Sequence, residues 1–517
     1  MEQRCNFWLS KKRRFCANEP LKNSEFCGNH KPGSEESRIP CPIDPSHSIL
    51  PENLDAHVKK CPLHKQVEAL KMQSFYKKGI NSGRDVPFVD RSITPHIEVA
   101  DTIASRTSEM LGCAKCSESA LYAKDCPESP NVSSEMKKKE IYEMSEQEFL
   151  SLLNKITSIH SSIASNIEDS YIVPESCSCW LSKQLDRQLP YQEKHVFQQA
   201  SILGNLEKFG ILQRPKVTAS VFPDHGTRES LNYDDLFEGR DEALAVVEFG
   251  AGRGYLTHML TDCYGITKVV LIERRSYKLK ADRSLRQKQH VTLDRLRIDI
   301  EDLDLNAVET LKGVSYLAIG KHLCGPATDF TLRCSLAQQH NRLGDNCSLR
   351  GVAVATCCHH LCQWKSYINS SFRNSVLLDS WLANNTEEKD QGFLFSMGIS
   401  KEDFHAITWF TSWAVDADHQ FDLSEATDQS LLFNTCDDGG QLGVEEILKN
   451  MKPVERAKLG FMCKDIIDIG RLMWIRENGF ASHLVKYVPY NVSPENHLLV
   501  AKPTKQSTFL DLPRLLI

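Results

Sequence analysis

The feature that most constrains the fold is a glycine-rich turn that directly follows a short run of apolar residues. Residues 244–249 read LAVVEF, and the GAGRG that follows places Gly250, Gly252 and Gly254 before the helical pattern YLTHMLTDCYG. A buried strand, a glycine turn and a helix in this order are typical of the first unit of a doubly wound, mostly parallel sheet. The sequence therefore predicts an α/β fold.

Further apolar runs follow at the spacing that such a sheet requires. KVVLIE (268–273), SYLAIG (315–320) and GVAVA (351–355) are separated by helical patterns. Near the end, HLVKYVPYNVSPENHLLVAKP predicts a closing antiparallel hairpin. We assign one α/β domain to residues 196–517.

The glycine turn has the surroundings of a cofactor site. Glu248 precedes the first glycine, Glu273 ends the second predicted strand, and Asp299 ends the third. A dinucleotide loop usually places its third glycine three residues after the second, so the spacing here favours S-adenosylmethionine over NAD. We expect Glu273 to accept hydrogen bonds from the ribose hydroxyls and Asp299 to lie near the adenine amino group. The pattern predicts a Rossmann-like Class I methyltransferase domain.

The fourth predicted strand ends in GKHLCG, which brings Lys321 and His322 to the side where the methyl acceptor would lie. The sequence here has neither the Asn/Asp-Pro-Pro-Tyr pattern of amino methylation nor the Pro-Cys pair of base-carbon methylation. A hydroxyl acceptor must lose its proton, and Lys321 and His322 are the candidates to orient or accept it. The alternative is that they hold a phosphate or cap the strand.

The fifth predicted strand ends in CCHHLC, residues 357–362. Cysteines and histidines are zinc ligands, but adjacent ligands cannot easily all turn toward one ion. The favoured interpretation is that the cysteines pack as small hydrophobic side chains and that His359, His360 or both face the acceptor pocket. A metal ion bound by this segment together with Cys324 is the alternative.

Two sets of four potential metal ligands lie in the first 61 residues. The sets are Cys5, Cys16, Cys27 and His30, followed by Cys41, His47, His57 and Cys61. Four thiolate or imidazole ligands complete a tetrahedral structural zinc site, and segments this short need the metal to fold. We predict zinc fingers over 1–33 and 34–66. Cations and aromatic residues are interleaved in the first finger, which suits RNA.

Residues 67–195 show a weaker apolar pattern, typical of a linker followed by a helical region. Ser145 and Glu148 form a capping box that predicts the start of an amphipathic helix. A second helical pattern, residues 193–212, leads into the α/β domain.

The charge distribution and the cysteine content bear on partners and compartment. The chain of 517 residues has a net charge of −6, yet residues 274–297 carry nine Lys/Arg against two Asp. An acidic protein with a basic island suits local binding of a polyanion, although such a run can also be a solvated helix face. With 19 cysteines and neither a signal peptide nor a membrane span in the sequence, we expect a reducing compartment, cytoplasm or nucleus, and no membrane partner.

Taken together, the two fingers, EFGAGRGYLT, GKHLCG and CCHH resemble one family, the eukaryotic transfer-RNA 2′-O-methyltransferases that modify nucleotide 4 of the acceptor stem. The second finger is also similar to the CHHC finger of a minor-spliceosome protein. The resemblance implies methyl transfer from S-adenosylmethionine to a ribose 2′-hydroxyl of tRNA, with two structural zinc ions and with fingers that help to bind RNA. A methyltransferase acting on a protein or small molecule, and a non-catalytic RNA adaptor, are the alternatives.

Overall fold

The computed structural model describes most of the predicted elements. The described residues are 4–9, 14–20, 22–27, 30, 39–42, 48–83, 131–163, 167–185, 190–213, 244–275, 280–336, 348–369, 394, 397–416 and 443–504. The chain divides into two units, Met1–Lys77 and Lys78–Ile517. Within the described residues, no helix combines the length and the apolar character needed to cross a bilayer.

The first unit contains two very short hairpins and two short helices. Its elements are the antiparallel pairs Trp8–Leu9 with Arg14–Phe15 and Ile39–Pro40 with Ser48–Ile49, then helices Leu54–Lys60 and Pro62–Lys71. Among the described residues its buried apolar side chains are five cysteines and Ile49. So small an apolar core cannot offset the entropy lost on folding, which indicates that metal binding stabilises this unit.

The second unit is built on an eight-stranded sheet. Its strands are β1 (Glu168–Asp169), β2 (Leu244–Phe249), β3 (Lys268–Ile272), β4 (Thr292–Leu296), β5 (Ser315–Cys324), β6 (Ser348–Cys357), β7 (Phe480–Lys486) and β8 (His497–Pro503). All six residues of β2 are buried, as is typical of a parallel strand in a sheet that is covered on both faces.

The strand order is β1-β7-β8-β6-β5-β2-β3-β4. The five strands from β6 to β4 are mutually parallel, whereas β8 runs antiparallel to both β6 and β7. The chain moves from β2 to β3 and β4, then returns to β5 on the other side of β2. The carboxyl ends of β2 and β5 therefore meet where the strand order reverses, the place where such sheets bind ligands. The α/β prediction and the closing antiparallel hairpin are confirmed.

Ten α-helices of the described residues belong to this unit. They are α1 (Ser134–Tyr142), α2 (Glu146–Ile163), α3 (Ser178–Leu185), α4 (Pro190–Lys208), α5 (Tyr255–Tyr264), α6 (Lys280–Arg286), α7 (Pro326–Leu336), α8 (Lys401–Asp416), α9 (Val444–Asn450) and α10 (Pro453–Glu477). The predicted capping box is present, since Ser145 N donates to Glu148 Oε2 (2.8 Å) and Glu148 N to Ser145 Oγ (3.3 Å).

Much of the region predicted as linker and helical, 67–195, lies within the second unit. Helix α2 packs on α10, and α1 packs on α8. Strand β1 extends the sheet beside β7. The amphipathic face of α2 is buried by helices that come more than 200 residues later, so this helical region packs on the predicted α/β domain; the boundary at 196 itself stays a prediction.

This packing makes a stability prediction for α2. Ile156 is fully buried, so Ile156→Val should lower the free energy of unfolding by about 1 kcal/mol through loss of one methylene group. The exposed Ser158 on the same helix supplies the control, because Ser158→Ala should change stability much less. Chemical denaturation of both variants measures the effect. Equal stability of both variants would contradict the packing of α2 on α10.

Candidate active site

The glycine turn lies at the end of β2, between β2 and β3. Gly250, Gly252 and Gly254 have φ angles of 59°, 51° and 76°, in the left-handed region that residues with a Cβ adopt at a cost. Ala251 N donates to Ile272 O at the end of β3 (3.0 Å), and Gly254 is the N-cap of α5. The turn therefore exposes backbone without side chains at the point in the sheet where the strand order reverses.

Glu248 connects the strand before the glycine turn to the helix after it. Its side chain is buried, and one carboxylate oxygen accepts hydrogen bonds from Thr257 N (3.1 Å) and Thr257 Oγ1 (2.5 Å) in the first turn of α5. Burial raises the pKa of Glu248 to about 7, and the Thr257 bonds oppose that rise. Glu248 thus stabilises the turn from the protein side.

Glu273 and Asp299 follow β3 and β4. The Glu273 carboxylate accepts from Gly252 N (2.9 Å) with one oxygen and from Arg275 N (2.8 Å) with the other. Asp299 caps a short 3-10 helix and pairs with Arg274, at 2.9 Å from Nη1 to Oδ2. Both carboxylates stand at carboxyl ends of strands, as the sequence predicts, and Glu273 contacts the glycine turn directly.

Lys321 is a basic side chain near the carboxyl end of β5, the strand beside β2. It lies within β5, is only 7% exposed, and its Nζ is 3.0 Å from His195 Nδ1 on α4. Burial lowers the pKa of Lys321 to about 8, although the charges of Glu248 and Cys357 oppose the shift. Half of this amine is therefore uncharged at about pH 8.

His322 lies beside the same group. Its ring meets the His195 ring edge-on, with centroids 6.1 Å apart. Although the His322 side chain is exposed, the protein atoms around its ring and the charges of Lys321 and His195 lower its pKa to about 4. Burial, followed by the charge of Lys321, also lowers the pKa of His195. The structure thus adds His195 to the predicted pair. No local pattern distinguishes it, because it lies on α4, one residue before the predicted start of the α/β domain.

His359 and His360 are placed differently. His359 is buried, with Nε2 2.8 Å from Asp468 Oδ2 and Nδ1 3.3 Å from Glu495 Oε2. Burial lowers its pKa, but these two carboxylates outweigh it and the net shift is upward. His360 is half-buried. The expectation that one or both histidines face an acceptor pocket does not describe His359, because its ring nitrogens are engaged inside the protein.

His359 belongs to a network of buried charged and polar side chains. Asp468 of α10 accepts from Thr356 Oγ1 (2.7 Å) and contacts His497 Nδ1 (2.9 Å) as well as His359. Arg471, one turn later and fully buried, pairs with Asp468 (2.9 Å) and with Asp329 of α7 (2.7 Å). The network connects the ends of β6 and β8 with two helices. The sequence indicates only an apolar stripe on α10 and gives no sign of these partners.

The first unit brings its predicted ligands together. The ligand atoms of Cys5, Cys16, Cys27 and His30 all lie within 4.8 Å of one another, as do those of Cys41, His57 and Cys61. His47, the fourth ligand predicted for the second finger, lies outside the described residues. Thiolate and imidazole donors converging on one point fit a structural zinc ion. Trp8 and Phe15 on the first finger are half or more exposed.

Comparisons with known proteins agree with this arrangement. The family model described as "Methyltransferase TRM13" matches residues 197–502. Residues 3–31 match "CCCH zinc finger in TRM13 protein", and residues 38–62 match "U11-48K-like CHHC zinc finger".

Several relatives are similar in sequence to this chain over nearly all or about half of its length. A rice protein named tRNA:m(4)X modification enzyme TRM13 is 43% identical over 284 residues, covering 54% of this chain and 91% of that protein. The mouse homologue of that name is 26% identical over 98% of this chain and 96% of its own. The Saccharomyces cerevisiae enzyme is 25% identical over 95% of this chain and 94% of its own.

Among solved structures, the plantazolicin methyltransferase BpumL in complex with SAH is similar at 12% identity and a TM-score of 0.20, covering 69% of this chain and 99% of that one. The family model spans more than half of the present chain. The chain therefore belongs to the TRM13 methyltransferase family and carries its CCCH and CHHC zinc fingers.

Proposed function

We propose that this protein transfers a methyl group from S-adenosylmethionine to the ribose 2′-hydroxyl of nucleotide 4 in the acceptor stem of tRNA. The relatives named as tRNA:m(4)X modification enzymes support tRNA as the substrate and position 4 as the target. The single observation that carries the choice of a hydroxyl acceptor is Lys321, a buried amine of lowered pKa beside the glycine turn. An alcohol is a poor nucleophile at neutral pH and needs such a base.

The residues around the turn fit S-adenosylmethionine. Bare glycine backbone at the end of β2 allows the cofactor to approach closely, and Glu273 offers a carboxylate to the ribose hydroxyls. Asp299 stands at the end of β4, where an adenine amino group would lie. When bound, the cofactor supplies an electrophilic methyl group on its sulfonium.

Lys321 is assigned the proton transfer. Its uncharged Nζ would accept the proton of the 2′-hydroxyl, while the oxygen would take the methyl group and the sulfonium would leave as a neutral thioether. His195 fixes the position of Nζ through the 3.0 Å contact to Nδ1. Because His322 has a pKa of about 4, its uncharged imidazole can orient the same hydroxyl by hydrogen bonding.

Two surfaces support binding of RNA. Arg275, Arg283 and Arg286 are exposed in the basic stretch 274–297 of the second unit. In the first unit, exposed Trp8 and Phe15 offer faces for base stacking next to Arg14. Phosphate contacts of this kind make binding strongly salt-dependent.

The glycine turn makes a prediction for cofactor binding. A Cβ at Gly250 would lie 3.0 Å from Leu323 Cδ2 and 3.3 Å from His322 O, at a φ of 59°. Gly250→Ala should therefore weaken S-adenosylmethionine binding by at least about tenfold, equivalent to ~1.4 kcal/mol. Gly313→Ala is the matched control, because Gly313 has a φ of 67° and open space around it. Calorimetric titration would contradict the assignment if both variants bound the cofactor equally.

Acceptor class is tested by incubating the protein with labelled S-adenosylmethionine and either tRNA or a mixture of cellular proteins and metabolites. We expect label in tRNA, and tRNA binding that weakens steeply between low and high salt. Label in the protein or small-molecule fraction alone would favour the alternative acceptor class. Absence of both cofactor binding and label would favour a non-catalytic RNA adaptor.

We also propose that the protein works in the cytoplasm, the nucleus or both. The described cysteines are free thiols, and zinc-binding thiolates persist in reducing compartments. Fluorescence microscopy of the tagged full chain tests this, and a secreted or lumenal protein would contradict it.

A further inference from the structure

Three cysteines converge at the end of the sheet, outside the predicted zinc fingers. Cys324 ends β5 and Cys357 ends β6, and the two are register partners on neighbouring parallel strands. Together with Cys358 their sulfur atoms all lie within 4.8 Å of one another. Cys324 is exposed and Cys358 is half-buried, so core packing does not account for the cluster.

The backbone at Cys358 explains how two adjacent cysteines reach one point. Consecutive side chains of an extended strand point to opposite faces. Cys358 instead has φ 51° and ψ 47°, a left-handed conformation that costs about 1–2 kcal/mol for a residue with a Cβ. Its N–H is fixed by Glu495 Oε1 at 2.9 Å. Strained backbone held in this way is concentrated at functional sites.

The distance between the Cys324 and Cys357 sulfur atoms matches tetrahedral metal binding, and the Cys358 sulfur lies within 4.8 Å of both. Zn–S bonds of about 2.3 Å at tetrahedral angles place sulfur atoms roughly 3.8 Å apart. The Cys324 and Cys357 sulfurs are 3.8 Å apart, and the Cys41 and Cys61 sulfurs of the CHHC finger are 4.0 Å apart. A disulfide would need about 2.05 Å. Thiolates select zinc over magnesium or calcium.

We propose that Cys324, Cys357 and Cys358 bind a zinc ion at the carboxyl ends of β5 and β6, in addition to the ions of the two fingers. The exposed side of Cys324 leaves the fourth coordination position accessible to solvent. The ion would cross-link the carboxyl ends of β5 and β6. Lys321 lies close by, three residues before Cys324. This site goes beyond the proposed methyl transfer, and its metal content can be measured independently of activity.

The test is metal analysis of the purified full chain by plasma mass spectrometry. We expect three zinc ions per chain, two after Cys324→Ala, and two after Cys27→Ser in the first finger. Cys324→Ala should fold normally because this side chain is exposed. Cys463→Ala is the control: Cys463 is a buried cysteine outside all three clusters and should leave three ions.

Cobalt substitution gives a second readout. The cobalt-loaded protein should lose part of its thiolate-to-metal charge-transfer absorption in Cys324→Ala and none in Cys463→Ala. Two zinc ions per chain, unchanged by Cys324→Ala, would overturn the proposal. So would a Cys324–Cys357 disulfide found by mass spectrometry in protein purified under reducing conditions.

Discussion

Replacing Lys321 with methionine is expected to lower the rate of methyl transfer to tRNA by about 10²–10⁴-fold, the usual contribution of a general base. Methionine retains most of the volume of the buried side chain and removes only the amine. Cofactor affinity should stay near normal, because the residues that contact the glycine turn are unchanged. Single-turnover kinetics and calorimetry measure the two quantities separately.

The pH dependence sharpens this prediction. Since the amine acts only when uncharged, the rate of the unmodified protein should rise with pH and level off above the Lys321 pKa of about 8. Lys321→Met should lose that rise. Lys312→Met, at an exposed lysine shortly before β5, is the control and should keep both the rate and the profile. A Lys321→Met variant with the full rate and an unchanged profile would remove Lys321 from the mechanism.

Arg471→Met should lower the free energy of unfolding by about 3–5 kcal/mol, the cost of leaving buried charges without their partner. Arg471 is fully buried between Asp329 and Asp468, so its loss removes the arginine partner of Asp329 and leaves Asp468 only its histidine partners. Denaturant unfolding of the full chain should show the loss in the transition of the second unit.

The matched control is Arg476→Met on the same helix. Arg476 is exposed and makes one long hydrogen bond, 3.3 Å from Nη2 to Ser482 O. Its replacement should change stability by less than about 1 kcal/mol. If Arg471→Met were as stable as Arg476→Met, the buried network would not support the ends of β6 and β8.

The parts of the site that depend on local sequence could be predicted. The LAVVEF strand, the glycine turn and the carboxylate that follows the second strand lie within 30 residues, and backbone chemistry alone relates them. Lys321 is predicted because a basic residue follows the apolar run SYLAIG, which indicates a buried strand. Residue type and spacing predict the four ligands of the first finger, and their ligand atoms lie together in the structure.

The remaining parts depend on contacts between distant segments. His195 approaches Lys321 across 126 residues, and His359 meets Asp468 across 109. An apolar stripe on α10 gives no indication that Asp468 and Arg471 are buried beside it. The convergence of Cys357 with Cys358 depends on one left-handed residue, which sequence pattern does not reveal for cysteine.

The most direct test of the proposed 2′-O-methylation is to locate the methyl group on tRNA. Transcribed tRNA is incubated with the protein and S-adenosylmethionine, then hydrolysed in alkali, which spares the phosphodiester after a 2′-O-methylated nucleotide. We predict protection after nucleotide 4, and no methylation of tRNA with a 2′-deoxynucleotide at that position. Methylation of the deoxy substrate, or methyl groups on a base or at another nucleotide, would contradict transfer to the 2′-hydroxyl of nucleotide 4.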